Sequence, residues 1–213
     1  VMMGRGNPSG SPAGVGGLRE TIVVIDFGSQ YSQLIARRIR ECRVYSELVS
    51  FDVSLEELER FDPRGLVLSG GPASVYEPGA PRVQPEILEA GWPILGICYG
   101  MQLLAHQLGG RVGAASRREY GPARLRLAGE ETELFAGLGL ELDVWMSHGD
   151  RIEEMPPGFR VLAHTANAPI AAMGDPQRRL YGLQFHPEVV HTPQGKQIVG
   201  NLCRLCGCDQ TWT

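Results

Sequence analysis

Pro93-Ile94-Leu95-Gly96-Ile97-Cys98-Tyr99-Gly100-Met101-Gln102-Leu103-Leu104-Ala105 passes from a short apolar run into helical spacing with no loop between the two. Residues 93–97 read as a buried strand. Residues 99–108 carry Met101, Leu104, Ala105 and Leu108 on one helical face and stop at Gly109-Gly110. At the join, Gly96-Ile97-Cys98-Tyr99-Gly100, a reactive residue stands between two glycines. A sharp strand-to-helix turn is strained, and only small neighbours let the chain pass close. Such a turn lifts Cys98 clear of the sheet and sets it at a helix N-terminus, where the dipole favours a thiolate. The Tyr99 N–H is then free to hold a developing oxyanion. Taken alone, the pentapeptide equally suits a plain buried cysteine at a strand end.

Upstream, residues 21–26 (TIVVID) form a β-branched apolar run, the mark of a strand covered on both faces. Residues 33–40 place Leu34, Ile35 and Ile39 on a helical face, and residues 44–49 read as a second strand. Ser54 with Glu57 forms a capping box that opens a short helix. Residues 65–69 make a third strand, ending at Gly70-Gly71-Pro72, and a helix over 86–90 leads to the central strand. Strand–helix alternation with short links predicts an α/β fold, a mostly parallel central sheet flanked by helices.

Downstream, residues 123–127, 142–146, 160–166, 169–173 and 180–185 are strand candidates with few helices between them. They predict a smaller mixed or antiparallel extension in the same domain, closed by a helix over 193–205. The domain is expected to span 21–207. Residues 1–20, rich in Gly, Pro and Ser, are read as a disordered leader without the features of a secretory signal.

The chain has 213 residues, enough to bury a core without disulfides or metal. A net charge of -4 argues against a nucleic-acid-binding surface, and no apolar run reaches the ~20 residues that span a bilayer. Five cysteines, an odd number, fit reduced thiols in the cytoplasm. Cys203, Cys206 and Cys208 offer only three thiols, two of them spaced too tightly for the usual zinc pattern, so no metal is expected.

A second chemical signal is Gly182-Leu183-Gln184-Phe185-His186-Pro187-Glu188. In extended backbone, residues two apart point to the same side, and Pro187 helps keep the segment extended. One strand end therefore presents the His186 imidazole and the Glu188 carboxylate together, as a base and its orienting group. Alone, a solvated histidine near a glutamate explains the string as well.

Together, the Cys98 elbow, Ser69-Gly70-Gly71-Pro72 and His186-Pro187-Glu188 resemble the class I glutamine amidotransferases, over residues 21–208. The resemblance implies a flavodoxin-like fold and a catalytic triad of Cys98, His186 and Glu188. It also implies an oxyanion hole from Gly71 and Tyr99, and glutamine contacts at Gly70, Gln102, Ser147 and His148. Asp150 is expected at an interdomain surface. Within the family, Asp26-Phe27-Gly28-Ser29-Gln30-Tyr31, Met146-Ser147-His148-Gly149-Asp150 and the Cys206-Gly207-Cys208 tail are similar to GMP synthetases. That likeness implies L-glutamine as substrate and ammonia passed to XMP. The partner is a synthetase (ATP-pyrophosphatase) domain of the same enzyme, which carries ATP and Mg, with 208–213 as the start of the linker to it. The likeness also implies a homodimeric whole enzyme, cytoplasmic, with no cofactor in this domain. Three rivals stand beside this reading. They are an esterase-like hydrolase, the amidotransferase domain of another biosynthetic enzyme, and an inactive glutamine-binding module. The carboxylate two residues after His186 disfavours the first, because that fold sets its acid well before its histidine.

Overall fold

The computed structural model describes residues 19–129 and 131–213. Alternate residues of β1 (Thr21–Asp26) enter different cores: Ile22 and Val24 on one face of the sheet, Val23 and Ile25 on the other. This two-faced burial explains why the strand reads as continuously apolar. The same division continues in β3 (Pro63–Leu68) and β4 (Ile94–Ile97), where Val67 and Leu95 oppose Leu66 and Ile94. One face is covered by α1 (Ser32–Glu41) and α5 (Gly195–Leu205). The other is covered by α2 (Leu55–Glu59), α3 (Pro85–Glu89) and α4 (Tyr99–Gln107). Ser54 caps α2 with the expected reciprocal bonds to Glu57.

The remaining strands are β2 (Tyr45–Ser50), β5 (Arg111–Leu127), β6 (Glu141–Glu154), β7 (Arg160–His164), β8 (Ala172–Asp175) and β9 (Leu180–Leu183). All nine described strands join one sheet in the order β2-β1-β3-β4-β9-β8-β7-β5-β6. The α/β class holds, but the expected mostly parallel sheet needs correction. Parallel pairing runs only from β2 to β9, and every neighbour beyond β9 is antiparallel. The first five places have the order 2-1-3-4-5 of a flavodoxin-like sheet, with β9 in the fifth. By pattern alone β9 groups with the extension, because alternation tells a strand from a helix but does not name its partner.

The β5–β6 hairpin is much longer than the two short strands expected there. Its register breaks between Ala114 and Glu119, whose partners are Asp150 and His148. Residues 115–118 therefore oppose Gly149 alone, and the excess chain bulges out of the ladder.

Of the expected leader, residues 1–18 lie outside the described residues. Arg19 and Glu20 are docked: the Arg19 guanidinium lies 4.4 Å from the Tyr45 ring centroid, and Glu20 Oε2 accepts from the Asp209 N–H at 2.8 Å. The tail expected to begin a linker also returns to the sheet edge, where the Trp212 N–H donates to the Arg43 carbonyl at 2.8 Å.

Candidate active site

Cys98 stands between the end of β4 and the first turn of α4 with φ 53° and ψ -107°, a conformation that L-residues rarely adopt. Two bonds hold the turn: Cys98 N–H to the Leu183 carbonyl at 2.7 Å and Gly100 N–H to the Ser69 carbonyl at 3.0 Å. Both flanking glycines are explained by close approach. A methyl at Gly96 would lie 2.5 Å from the Gly100 carbonyl carbon, and one at Gly100 would collide with the Leu68 carbonyl. With the Gly100 N–H committed, the Tyr99 N–H is the first of the helix and has no intrahelical acceptor.

Cys98 is buried, with Sγ 3.4 Å from the Ser147 carbonyl oxygen and 3.7 Å from Gln184 Nε2. It also lies beside the His186 ring, close enough to perturb its titration. The ring comes from just beyond β9, where Phe185 bridges to Met146 and the His186 N–H donates to the Trp145 carbonyl at 3.0 Å. His186 Nδ1 lies 2.7 Å from Glu188 Oε1, both groups being buried. Thr192 Oγ1 donates to the His186 carbonyl at 2.7 Å, Arg38 Nε donates to the Glu188 carbonyl at 2.9 Å, and Tyr31 stands edge-on to the imidazole at 5.5 Å. Burial alone would depress the imidazole. The neighbouring Cys98 thiol and the hydrogen-bonded Glu188 carboxylate outweigh that and push it up to about 10.

A cleft of about 460 Å³ opens in front of the sulfur. Of the residues expected at the site, Gly71, Cys98, Tyr99, Gln102, Ser147 and His148 line it. Gly70 is not among its walls. A methyl there would lie 3.4 Å from His186 Cε1 and 3.7 Å from Cys98 Cβ, ordinary van der Waals contact, so Gly70 stands next to both side chains. Gly71 is small for a different reason than access to a ligand, since its Cβ would lie 2.5 Å from the Phe27 carbonyl oxygen. Buried Ser69 anchors this loop, accepting from the Phe27 N–H at 2.9 Å and donating to the Gly70 carbonyl at 2.8 Å.

His148 sits on β6. Its Nδ1 lies 2.8 Å from the Asp150 carbonyl and its Nε2 3.4 Å from Glu119 Oε2. Asp150, expected at an interdomain surface, is part of the cleft wall. Its carboxylate accepts from Ser74 Oγ at 2.5 Å and from the Tyr76 hydroxyl at 2.8 Å, tying the loop that carries Gly71 to β6. Gln184 is a site residue that the sequence reading does not single out. It is buried, accepts from Gln102 Nε2 at 3.3 Å, and points its own amide at the sulfur. Its place directly after an apolar strand end, two residues before His186, is the signal that could have found it.

The other cysteines pack between α5 and the sheet, away from the cleft. Cys42 Sγ lies 4.0 Å from the Lys196 carbonyl, and Cys206 leaves no room for a methyl at Gly65. Among the described residues no cluster of three or more His, Cys, Asp or Glu side chains is placed to hold a metal ion, and no helix is long and apolar enough to cross a membrane. His106 faces Arg82 at 3.1 Å, outside the cleft.

The family model for Glutamine amidotransferase class-I matches residues 23–205. The chain is 58% identical over 195 residues to a GMP synthase [glutamine-hydrolyzing] of Thermomicrobium roseum, covering 91% of this chain and 36% of that protein. A protein of the same name from Thermosynechococcus vestitus is 54% identical, with 94% and 37% covered. The chain thus spans little more than a third of these relatives' length. Among solved structures, a GMP synthase subunit protein from Thermoplasma acidophilum superposes with TM-score 0.75 at 31% identity, over 89% of this chain and 94% of that one. A glutamine amidotransferase from Thermotoga maritima, at 20% identity and TM-score 0.69 over 88% and 98%, shares the fold. Matched from within β1 to the end of α5, this chain belongs to the class-I glutamine amidotransferase family.

Proposed function

We propose that this chain hydrolyses L-glutamine to glutamate and ammonia, with Cys98 as nucleophile, and that the ammonia serves the ATP-dependent conversion of XMP to GMP. The observation that carries the chemistry is the buried pair of His186 Nδ1 and Glu188 Oε1, 2.7 Å apart, with the imidazole beside Cys98, a residue of the cleft wall. The names and identities of the relatives support the biosynthetic assignment.

In this reading the thiolate of Cys98 attacks the side-chain amide carbon of glutamine. The oxyanion forms beside the N–H groups of Tyr99 and Gly71. The His186 imidazolium gives its proton to the departing nitrogen, ammonia leaves, and a glutamyl thioester remains. Water then gives a proton to His186 and attacks the thioester, releasing glutamate and regenerating the thiolate–imidazolium pair. Glu188 fixes the tautomer and steadies the imidazolium throughout. Gln102, Ser147 and His148 are assigned to the wall against which glutamine lies, and Gly70, next to Cys98 and His186, to a glutamine contact near the reacting end.

Ammonia production is half of the proposal; the acceptor is the other half. A synthetase portion of the same cytoplasmic enzyme, itself a homodimer, would bind XMP, ATP and Mg. No residue of this chain is assigned to hold them. The test is glutamate release by the 213-residue chain, alone and with the synthetase portion plus XMP and ATP, against Cys98→Ala. Release that requires Cys98 and rises when the synthetase and its substrates are added supports the whole reading. Release independent of Cys98 overturns the mechanism. Release that ignores XMP and ATP but responds to another biosynthetic partner overturns the assignment to GMP synthesis.

A further inference from the structure

The charged side chains around the cleft are unequal in their commitments. Asp150 is engaged by Ser74 and Tyr76, Glu77 Oε2 reaches the Ser74 N–H at 3.5 Å, and His148 is buried between the Asp150 carbonyl and Glu119. Arg118 is the one full cation lining the cleft, and among the described residues it makes no hydrogen bond or ion pair. Its position follows from the break in the hairpin register, where residues 115–118 stand against Gly149 alone. A bulge of this kind takes side chains out of the ladder's alternation and re-aims them. The guanidinium arm lies over Gly149, where a methyl would sit 3.6 Å from Nε, between the two residues His148 and Asp150 that form the wall.

We propose that Arg118 binds the α-carboxylate of the substrate and so selects free glutamine over amides that lack that group. The proposal rests on the glutaminase reading and adds the residue that recognises the end of the molecule remote from the reaction. Glutamine is a zwitterion with its reactive amide at one end. Once that amide lies against Cys98, the carboxylate must find a partner elsewhere in the same cleft. A guanidinium offers two parallel N–H groups that match a carboxylate, and it is held on a bulge rather than spent on a neighbour. Asp150, on β6 next to Gly149, and Glu77, on the loop that follows Gly71, supply negative charge for the α-ammonium.

The experiment measures alkylation of Cys98 by mass spectrometry with three probes. They are a diazoketone analogue of glutamine, the same diazoketone without its α-carboxylate, and iodoacetamide. They are applied to the wild-type chain, Arg118→Met and Arg118→Lys. The expected result for Arg118→Met is a half-saturating concentration for the glutamine analogue raised by on the order of 10–100-fold, as for loss of a hydrogen-bonded charge partner. Its limiting rate, and the rates with the other two probes, stay unchanged. Arg118→Lys recovers part of the loss. Equal slowing with all three probes overturns the proposal in favour of a structural role, and no change with the glutamine analogue overturns it outright. If wild-type Cys98 reacts with iodoacetamide but not with the glutamine analogue, the glutaminase reading fails and this proposal with it. A loss confined to the glutamine analogue leaves that reading standing and supports both.

Discussion

His186 Nδ1 meets Glu188 Oε1 at 2.7 Å, while the carboxylate's other oxygen is buried without a hydrogen-bond partner among the described residues. A buried, half-satisfied carboxylate costs stability unless its charge is matched, and the imidazolium two residues away is the matching charge. The pair is thus a single hydrogen-bonded unit.

Glu188→Gln keeps the shape and removes the charge. Glutamate release is expected to fall by roughly 10²–10⁴-fold, as when the orienting acid of a triad is neutralised. Steady-state assays against the wild type check this. A variant with unaltered kcat would show that Glu188 only shapes the strand end.

The pH dependence follows from His186, raised from 6.5 to about 10 in the folded chain. A raised value means that the imidazolium stabilises the fold fully below about 6.5, and that this contribution drains away as pH climbs through about 10. Denaturant midpoints of the wild type should therefore fall from pH 7 to pH 10 more steeply than those of Glu188→Gln. Parallel curves would contradict the ion pair.

Gly100→Ala sets two effects against each other. Alanine gains about 1 kcal/mol of helix propensity, but its methyl meets the Leu68 carbonyl, and overpacking of this kind costs ~1–3 kcal/mol or more. The collision should win, so urea unfolding is expected to show net destabilisation together with a displaced, less reactive Cys98.

Ser74→Ala cuts one of the two side-chain bonds through which Asp150 holds the Gly71 loop to β6. With that loop loosened, labelling of Cys98 by a glutamine-shaped electrophile should slow by roughly tenfold, the scale of one hydrogen bond to a charged group. Global stability should change little, because the loop lies at the surface. Circular dichroism melting and labelling rates together separate the two.

The thiols away from the cleft should differ sharply in reactivity. The neighbouring Cys203 thiol draws Cys42 down to about 7, whereas burial pushes Cys208 up to about 11 and Cys206 higher still. Cys203 is raised too, first by the neighbouring Cys42. Site-resolved alkylation at neutral pH should modify Cys42 well before the other three.

Features set by local chemistry were readable from the residues. The Ser54–Glu57 cap, the two-faced run of β1 and the glycines of the Cys98 elbow each follow from a short-range rule, and each stands where the rule put it. The meeting of His186 with Glu188 was readable for the same reason, the two being two residues apart in extended chain. What escaped was set at long range. No periodicity reveals that β9 lies beside β4, or that Asp150 reaches Ser74 across the cleft. The first half of β5, Arg-Val-Gly-Ala-Ala-Ser-Arg-Arg-Glu-Tyr, lacks clean alternation because it contains the bulge, and so does not read as a strand. Arg118 is hidden with it.

The placement of β9 also fixes when sulfur and imidazole meet. Ile94 of β4 pairs with Leu180, so the strand that delivers the imidazole is the last of the described strands in chain order, yet it sits in the middle of the sheet. Until it is in place, β4 has an open edge and Cys98 stands apart from His186. The two side chains are accordingly brought together only by closure of the sheet.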